Sequence, residues 1–204
     1  MRDRSRYPAL VDYLDSLTEG LESYPECMSK ASAYRALVER LPFAEELEHL
    51  PPGLAELITH PVPVSAWISS ARYNALFLVA LDRFFARDEP RAATWFYELR
   101  VEMFRSILYR ALMLAMSPAK IFRTAQRRWE TFHRGTTLTV DFDPARPHGG
   151  SARIDYPAHL QTPLTVRLLG SGLQAALEAA GARELEWQID EYTPEHTTMS
   201  GRWK

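Results

Sequence analysis

A chain of 204 residues, 46% hydrophobic and 25% charged, is long and apolar enough to enclose a sizeable core. Its formal net charge of -2 supplies no global field for nucleic acid or an anionic membrane. Cys27 is the sole cysteine, which excludes an internal disulfide framework.

Met1 to Arg6 is basic, but no apolar stretch follows, so the segment does not read as a signal peptide. The uncharged stretches His60 to Ala71 and Ala111 to Ala119 both fall short of the ~20 residues a spanning helix needs. The expected location is cytoplasmic. Lysine occurs only at 30, 120 and 204 beside many arginines, which reads as coding bias before it reads as a device.

Leu10, Tyr13, Leu14 and Leu17 recur at three- and four-residue spacing and predict an amphipathic helix ending by Gly20. A second helix is expected over about 30–40, with Ala33, Tyr34, Leu37, Val38 and Leu41 inward. Pro42, Pro51, Pro52, Pro61 and Pro63 then cut the chain into short helical pieces. Residues 67–85 read as a buried helix. Asp88-Glu89-Pro90 opens another over 91–116, with Trp95, Leu99, Met103 and Ile107 inward and its uncharged end, 111–116, surrounded by protein. Ser117-Pro118 is an N-cap and first-turn pair, predicting a helix to Arg134 closed by Gly135.

Strands follow. Leu138, Val140 and Phe142 alternate with Thr137, Thr139 and Asp141, and Ala152, Ile154 and Tyr156 alternate beyond a loop over 143–150, giving a hairpin. Thr162-Pro163 repeats the cap signal for a helix ending at Gly181, with Leu169, Leu173, Ala176, Leu177 and Ala180 as its stripe. Leu185, Trp187 and Ile189 form one alternating run; Thr197, Met199, Gly201 and Trp203 form the last. The expected fold is α+β. A helical N-terminal half precedes helix-helix-strand-strand-helix-strand-strand, with a four-stranded antiparallel sheet packed against helices. The division expected is a helical extension, 1–60, on a main domain, 61–204.

From Pro61 onward the chain resembles an uncharacterised paralogous family expanded in myxobacteria. The matching features are Ser117-Pro118 before a helix containing Trp129, the Gly170-x-Gly172 helix with Leu173, Leu177 and Ala179-Ala180-Gly181-Ala182, and a terminal strand ending in Trp203. More distantly the arrangement is similar to the ligand-binding fold of 4-vinyl-reductase domains, haem nitric-oxide sensors and Bet3-type trafficking subunits. That resemblance implies an internal hydrophobic pocket and a sensor or adaptor role, commonly as a homodimer. Two features of those relatives are missing: no cysteine follows Cys27, and there is no Tyr-x-Ser-x-Arg haem signature. Zinc and haem are therefore not carried over, and no cofactor or metal is expected.

The ligand-pocket candidates are Trp95, Phe96, Met103, Trp129, Leu169, Leu173 and Trp187, an aromatic and aliphatic set that serves equally well as plain core. The partner-binding candidates are Lys120, Arg123, Arg127, Arg128 and Arg134, a basic stripe for an acidic protein partner rather than nucleic acid. The same stripe is also what a solvated helix face looks like. Gly170 and Gly172 inside a helix cost ~1 kcal/mol each relative to alanine, which calls for close approach by a neighbour. The six histidines lack the i, i+4 spacing of a helical zinc site, the acidic pairs fall on outer faces, and no Gly-x-Ser-x-Gly elbow is present. No catalytic residue is assigned. The expected function is a non-enzymatic sensor or adaptor in signalling or regulation, binding a small apolar ligand or a protein partner. The alternative is a structural scaffold docking an acidic partner through its basic helix.

Overall fold

The computed structural model describes residues 3–105, 116–143, 145 and 148–204. Met1, Arg2 and the expectations placed on 106–115, Ile107 and the uncharged helix end among them, lie outside the described residues, as do Pro144, Arg146 and Pro147 in the hairpin loop. The fold is α+β, with a four-stranded antiparallel sheet and a second, three-stranded one. Its contacts divide it into two compact units.

The first unit comprises Met1–Ala92, Phe132–Gly135 and Ala158–Leu160. It holds helices α1 (Pro8–Ser16), α2 (Ser32–Arg40), α3 (Pro52–Thr59) and α4 (Ser70–Phe84), and α1 and α3 pack against α4. Helix α4 is the centre of this core, buried at Ser70 and Ala71 and then without a break from Tyr73 to Leu81. Pro8 opens α1 but Tyr7 offers no side-chain cap. The Asp82 carboxylate takes that role from α4, accepting from the amides of Ala9 (3.2 Å) and Leu10 (3.1 Å). Burial pushes the Asp82 carboxyl above its ordinary range, against the pull of those two amides. Residues 158–160 are fastened by carbonyls: Leu160 O accepts from Tyr13 Oη (2.9 Å) and Asn74 Nδ2 (2.8 Å), and Ala158 O from Tyr24 Oη (2.9 Å).

Periodicity does not announce the small sheet in this unit. β1 (Met28–Lys30) pairs antiparallel with β2 (Trp67–Ser69) on one side and with β3 (His133–Arg134) on the other. Two expected helix boundaries move in consequence. The helix expected over 67–85 gives up its first turn to β2 and begins at Ser70, where Ser69 Oγ accepts from Arg72 N. The helix expected to reach Arg134 stops at Phe132, because His133 and Arg134 bond to β1 instead. Gly135, expected to close the helix, instead follows β3, where it adopts φ +70°.

The second unit comprises Ala93–Thr131, Thr136–Pro157 and Gln161–Lys204. It contains most of α5 (Glu89–Arg105), α6 (Pro118–Phe132), and α7 (Pro163–Ala179) against the four-stranded sheet. The strands are β4 (Thr137–Asp141), β5 (Gly149–Asp155), β6 (Glu186–Tyr192) and β7 (His196–Arg202), ordered β4-β5-β7-β6. Both cap signals operate as expected. Ser117 Oγ accepts from Lys120 N (3.3 Å), and Thr162 and Thr165 form a reciprocal capping box. Gly181 closes α7 at φ +99°.

Register puts Leu138 opposite Ile154, Ala152 opposite Met199, and Gly150 opposite Gly201, all on the helix-covered face. Thr137, Thr139 and Asp141 are exposed on the other face. Among the described residues no helix is long and apolar enough to cross a membrane.

Candidate functional site

The inner face of the four-stranded sheet carries a feature that depends on register. Gly150 and Gly201 are paired neighbours on β5 and β7, so two adjacent positions lack side chains. Aromatic rings occupy the space. A Cβ on Gly150 would lie 3.0 Å from Phe122 Cε1, and one on Gly201 would lie 2.5 Å from Trp187 Cε3. Phe122, from α6, therefore lies over β5, while Trp187, one strand over on β6, lies across β7. Phe122 also stacks on Trp203 (centroids 5.4 Å, 20°) and on Phe142 (6.1 Å, 22°).

Helix α7 approaches the nitrogen edge of the Trp187 ring. Gly170 is buried, and a Cβ there would lie 3.0 Å from Trp187 Nε1. This is the close approach that a costly mid-helix glycine calls for. Gly172 meets nothing within 4 Å, and the structure offers no packing reason for it.

Between these elements lies a half-open apolar cleft. Helix α6 contributes Ile121, Phe122 and Ala125; the sheet contributes Leu138, Val140, Ala152 and Trp187; α7 contributes Leu173 and Leu177. The free room is about 10 Å³, enough for about one water-sized group. Ile121, Phe122, Leu177 and Trp203 anchor the surrounding core.

Of the seven sequence candidates for a pocket, Leu173 and Trp187 line this cleft. Trp129 is buried farther along α6, with Nε1 donating to Thr136 Oγ1 at 3.0 Å. Phe96 is buried on α5, edge-on to half-buried Trp95 at 5.1 Å; Met103 and Leu169 are half-buried. Gly150 and Gly201 are not among the candidates, because strand pairing must be known before they become neighbours. The alternating position of Trp187 is the signal that finds it.

The basic candidates separate. Lys120, Arg123 and Arg127 are exposed on α6, and Arg128 is half-buried there. Arg134 leaves the helix: it lies in β3, its guanidinium 4.1 Å over the Trp67 ring, which also carries Lys30 Nζ at 4.0 Å. The assignment of Arg134 to the helical stripe is thus corrected by the strand that ends α6 early.

Several titratable groups elsewhere have local partners. His133 Nδ1 lies 3.4 Å from Ser29 Oγ, and His196 Nε2 lies 3.1 Å from Glu191. Burial pushes the Cys27 thiol up to about 11, and Sγ donates to Gly135 O at 3.2 Å. The Tyr97 hydroxyl, also raised to about 12 by burial, donates to Glu178 on α7. Among the described residues no group of three or more His, Cys, Asp or Glu gathers as a metal site.

No family model matches the chain, and no curated protein matches it. Among solved structures, one from work probing the function of heme distortion in the H-NOX family is similar, with TM-score 0.54 and 7% identity. The match covers 86% of this chain and 95% of that one. At that identity the likeness is one of fold, and it bears on the distant resemblance to haem nitric-oxide sensors. For the myxobacterial paralogues these comparisons give no match.

Proposed function

We propose that this chain uses an H-NOX-like fold as a non-enzymatic sensor or adaptor domain, taking a small apolar ligand into the cleft between α6, α7 and the sheet. The observation that carries the reading is the cleft itself, an apolar recess built on paired bare positions beneath Phe122 and Trp187. The fold likeness supports it at the level of architecture. Haem, the group studied in that similar structure, does not fit this cleft. None of the described lining residues is a histidine, cysteine or tyrosine, and the room accommodates only about one water-sized group. Binding would be by van der Waals fit, and a ligand that wedges α6 from α7 would shift the population presented to a partner.

Filling the recess tests this reading. The small-molecule extract of the protein's own host should raise the melting temperature of the wild-type chain but not of Ala125→Trp, whose indole occupies the cleft. Near-ultraviolet circular dichroism confirms that the variant is folded. Equal shifts for both proteins, or none for either, remove the proposal.

A second reading is favoured by α6: Arg123 and Arg127 are exposed and make no ion pair among the described residues. In that reading the helix docks an acidic protein. Arg123→Glu with Arg127→Glu should then abolish co-purification of a partner while changing the melting temperature by less than about 2 °C. Unchanged co-purification removes it.

A further inference from the structure

We propose that the solvent-facing side of the three-stranded sheet docks an acidic peptide segment of a partner protein, with Lys30 and Arg134 receiving its carboxylates beside the Trp67 ring. The site lies wholly in the first unit and does not depend on the reading of the cleft.

Register and burial define the surface. Ser29 and Ile68 are paired neighbours on β1 and β2, and both are buried. Alternation therefore turns the next pair along, Lys30 and Trp67, to the opposite face, together with Met28 and its partner Arg134. Arg134 is exposed there, while Lys30 and Trp67 are half-buried. The Arg134 guanidinium lies 4.1 Å and Lys30 Nζ 4.0 Å from the Trp67 centroid, so the two charges are within about 8 Å of each other. One ring attracts both cations through its π system.

Charge complementarity names the occupant. Neither cation has a carboxylate partner among the described residues. Lys30 Nζ spends one N–H on Ser65 O (2.7 Å) and keeps two. A guanidinium held over a ring keeps the N–H fork at its edge for a carboxylate. Two like charges at this spacing repel, and an oxyanion set between them relieves that repulsion.

Apolar side chains adjoin the pair. Val64, just before β2, is 58% exposed, and Phe132, just before β3, is 39% exposed. The turn that carries Val64 is fixed: Ala66 N donates to Pro63 O (2.9 Å), Val62 N to Tyr34 Oη (2.8 Å) and Arg35 Nη1 to Pro61 O (3.1 Å). Docking there orders little of this chain. Two cations with two apolar neighbours match a short acidic segment that carries an apolar residue. They fall short of the polybasic cluster and broad apolar face that hold a protein on a lipid surface.

The test uses the full chain with its five tryptophans labelled at the indole nitrogen. The probes are an end-blocked peptide of alternating glutamate and leucine, its glutamine counterpart, inorganic phosphate, and phosphatidylcholine vesicles containing phosphatidylserine. Trp67→Phe assigns the Trp67 indole signal by its absence. The glutamate peptide should move that signal and bind about tenfold more tightly than the glutamine peptide at low ionic strength, a gap that narrows as salt is added. Arg134→Gln, at an exposed position, should lose most of the preference, and Lys30→Gln should weaken it independently. Equal affinity for the two peptides, or a bound peptide that leaves the Trp67 signal unmoved, overturns the proposal. Phosphate that matches the glutamate peptide reduces the site to a general anion site, and vesicles that bind where the peptide does not make it a lipid contact; either result also overturns it. The wild-type comparison decides whether or not a variant folds.

Discussion

Gly135→Ala should lower stability by about 3–5 kcal/mol, combining the left-handed conformation and a steric clash. The backbone there sits at φ +70°. A Cβ would lie 2.6 Å from Cys27 Sγ, 2.8 Å from Cys27 Cα and 2.9 Å from Glu26 O. Two of those three atoms belong to the backbone leading directly into β1, which is itself paired on both sides. Neither can swing away as a flexible side chain would. Gly181→Ala is the matched control: its φ is +99°, yet nothing lies within 4 Å of the added carbon. That variant should lose only about 1–2 kcal/mol, the conformational part alone. Urea unfolding followed by circular dichroism measures both. Equal losses would show that the tight passage of Gly135 over Cys27 is not a constraint.

Glu46→Gln should cost about 2–4 kcal/mol, somewhat below the usual penalty for breaking a fully buried ion pair. The Glu46 side chain is 4% exposed, whereas Arg6 and Arg83 are 27% and 32% exposed and keep part of their hydration. The carboxylate accepts from Tyr7 Oη (2.5 Å), Arg6 Nε (3.0 Å) and Arg83 Nε (3.0 Å), joining the N-terminal segment, the 3₁₀ run Phe43–His49 and α4. Burial opposes its ionisation, but the hydrogen bonds from Tyr7, Arg83 and Arg6 outweigh it and hold the carboxyl below its ordinary range. Burial and the same carboxylate push the Tyr7 hydroxyl up to about 12, so it remains the donor.

The pH dependence follows from that direction. A carboxyl whose pKa is lower in the folded state contributes fully above its unfolded value, about 4.3, and loses the contribution as pH falls through the folded value. The wild-type urea midpoint should therefore drop below about pH 4 more steeply than that of Glu46→Gln. Parallel acid limbs in the two proteins would contradict this role for Glu46.

Much of the second unit is legible in the sequence because its signals are local. Ser117-Pro118 and Thr162-Pro163 each cap a helix, and the alternation of Leu138 and Val140 with Thr137 and Thr139 defines β4. The three-stranded sheet is not legible, for a physical reason. Its strands are two or three residues long, too short for alternation to register, and their pairing joins residues near 28, 67 and 133. The cleft falls between these cases. Trp187 and Leu173 can be found because strand and helix periodicity turn them inward, whereas the Gly150 and Gly201 pair exists only once β5 and β7 are aligned. Phe96 and Trp129 illustrate the converse: apolar patterning marks burial but does not say which buried residues leave room between them.

The most direct measurement is the mass, under non-denaturing conditions, of wild-type protein and of Ala125→Trp, each purified from the protein's own host. A cleft that holds a small ligand predicts a stoichiometric neutral adduct on the wild type that is missing from the filled variant. A bare mass for both proteins, or the same adduct on both, would contradict it.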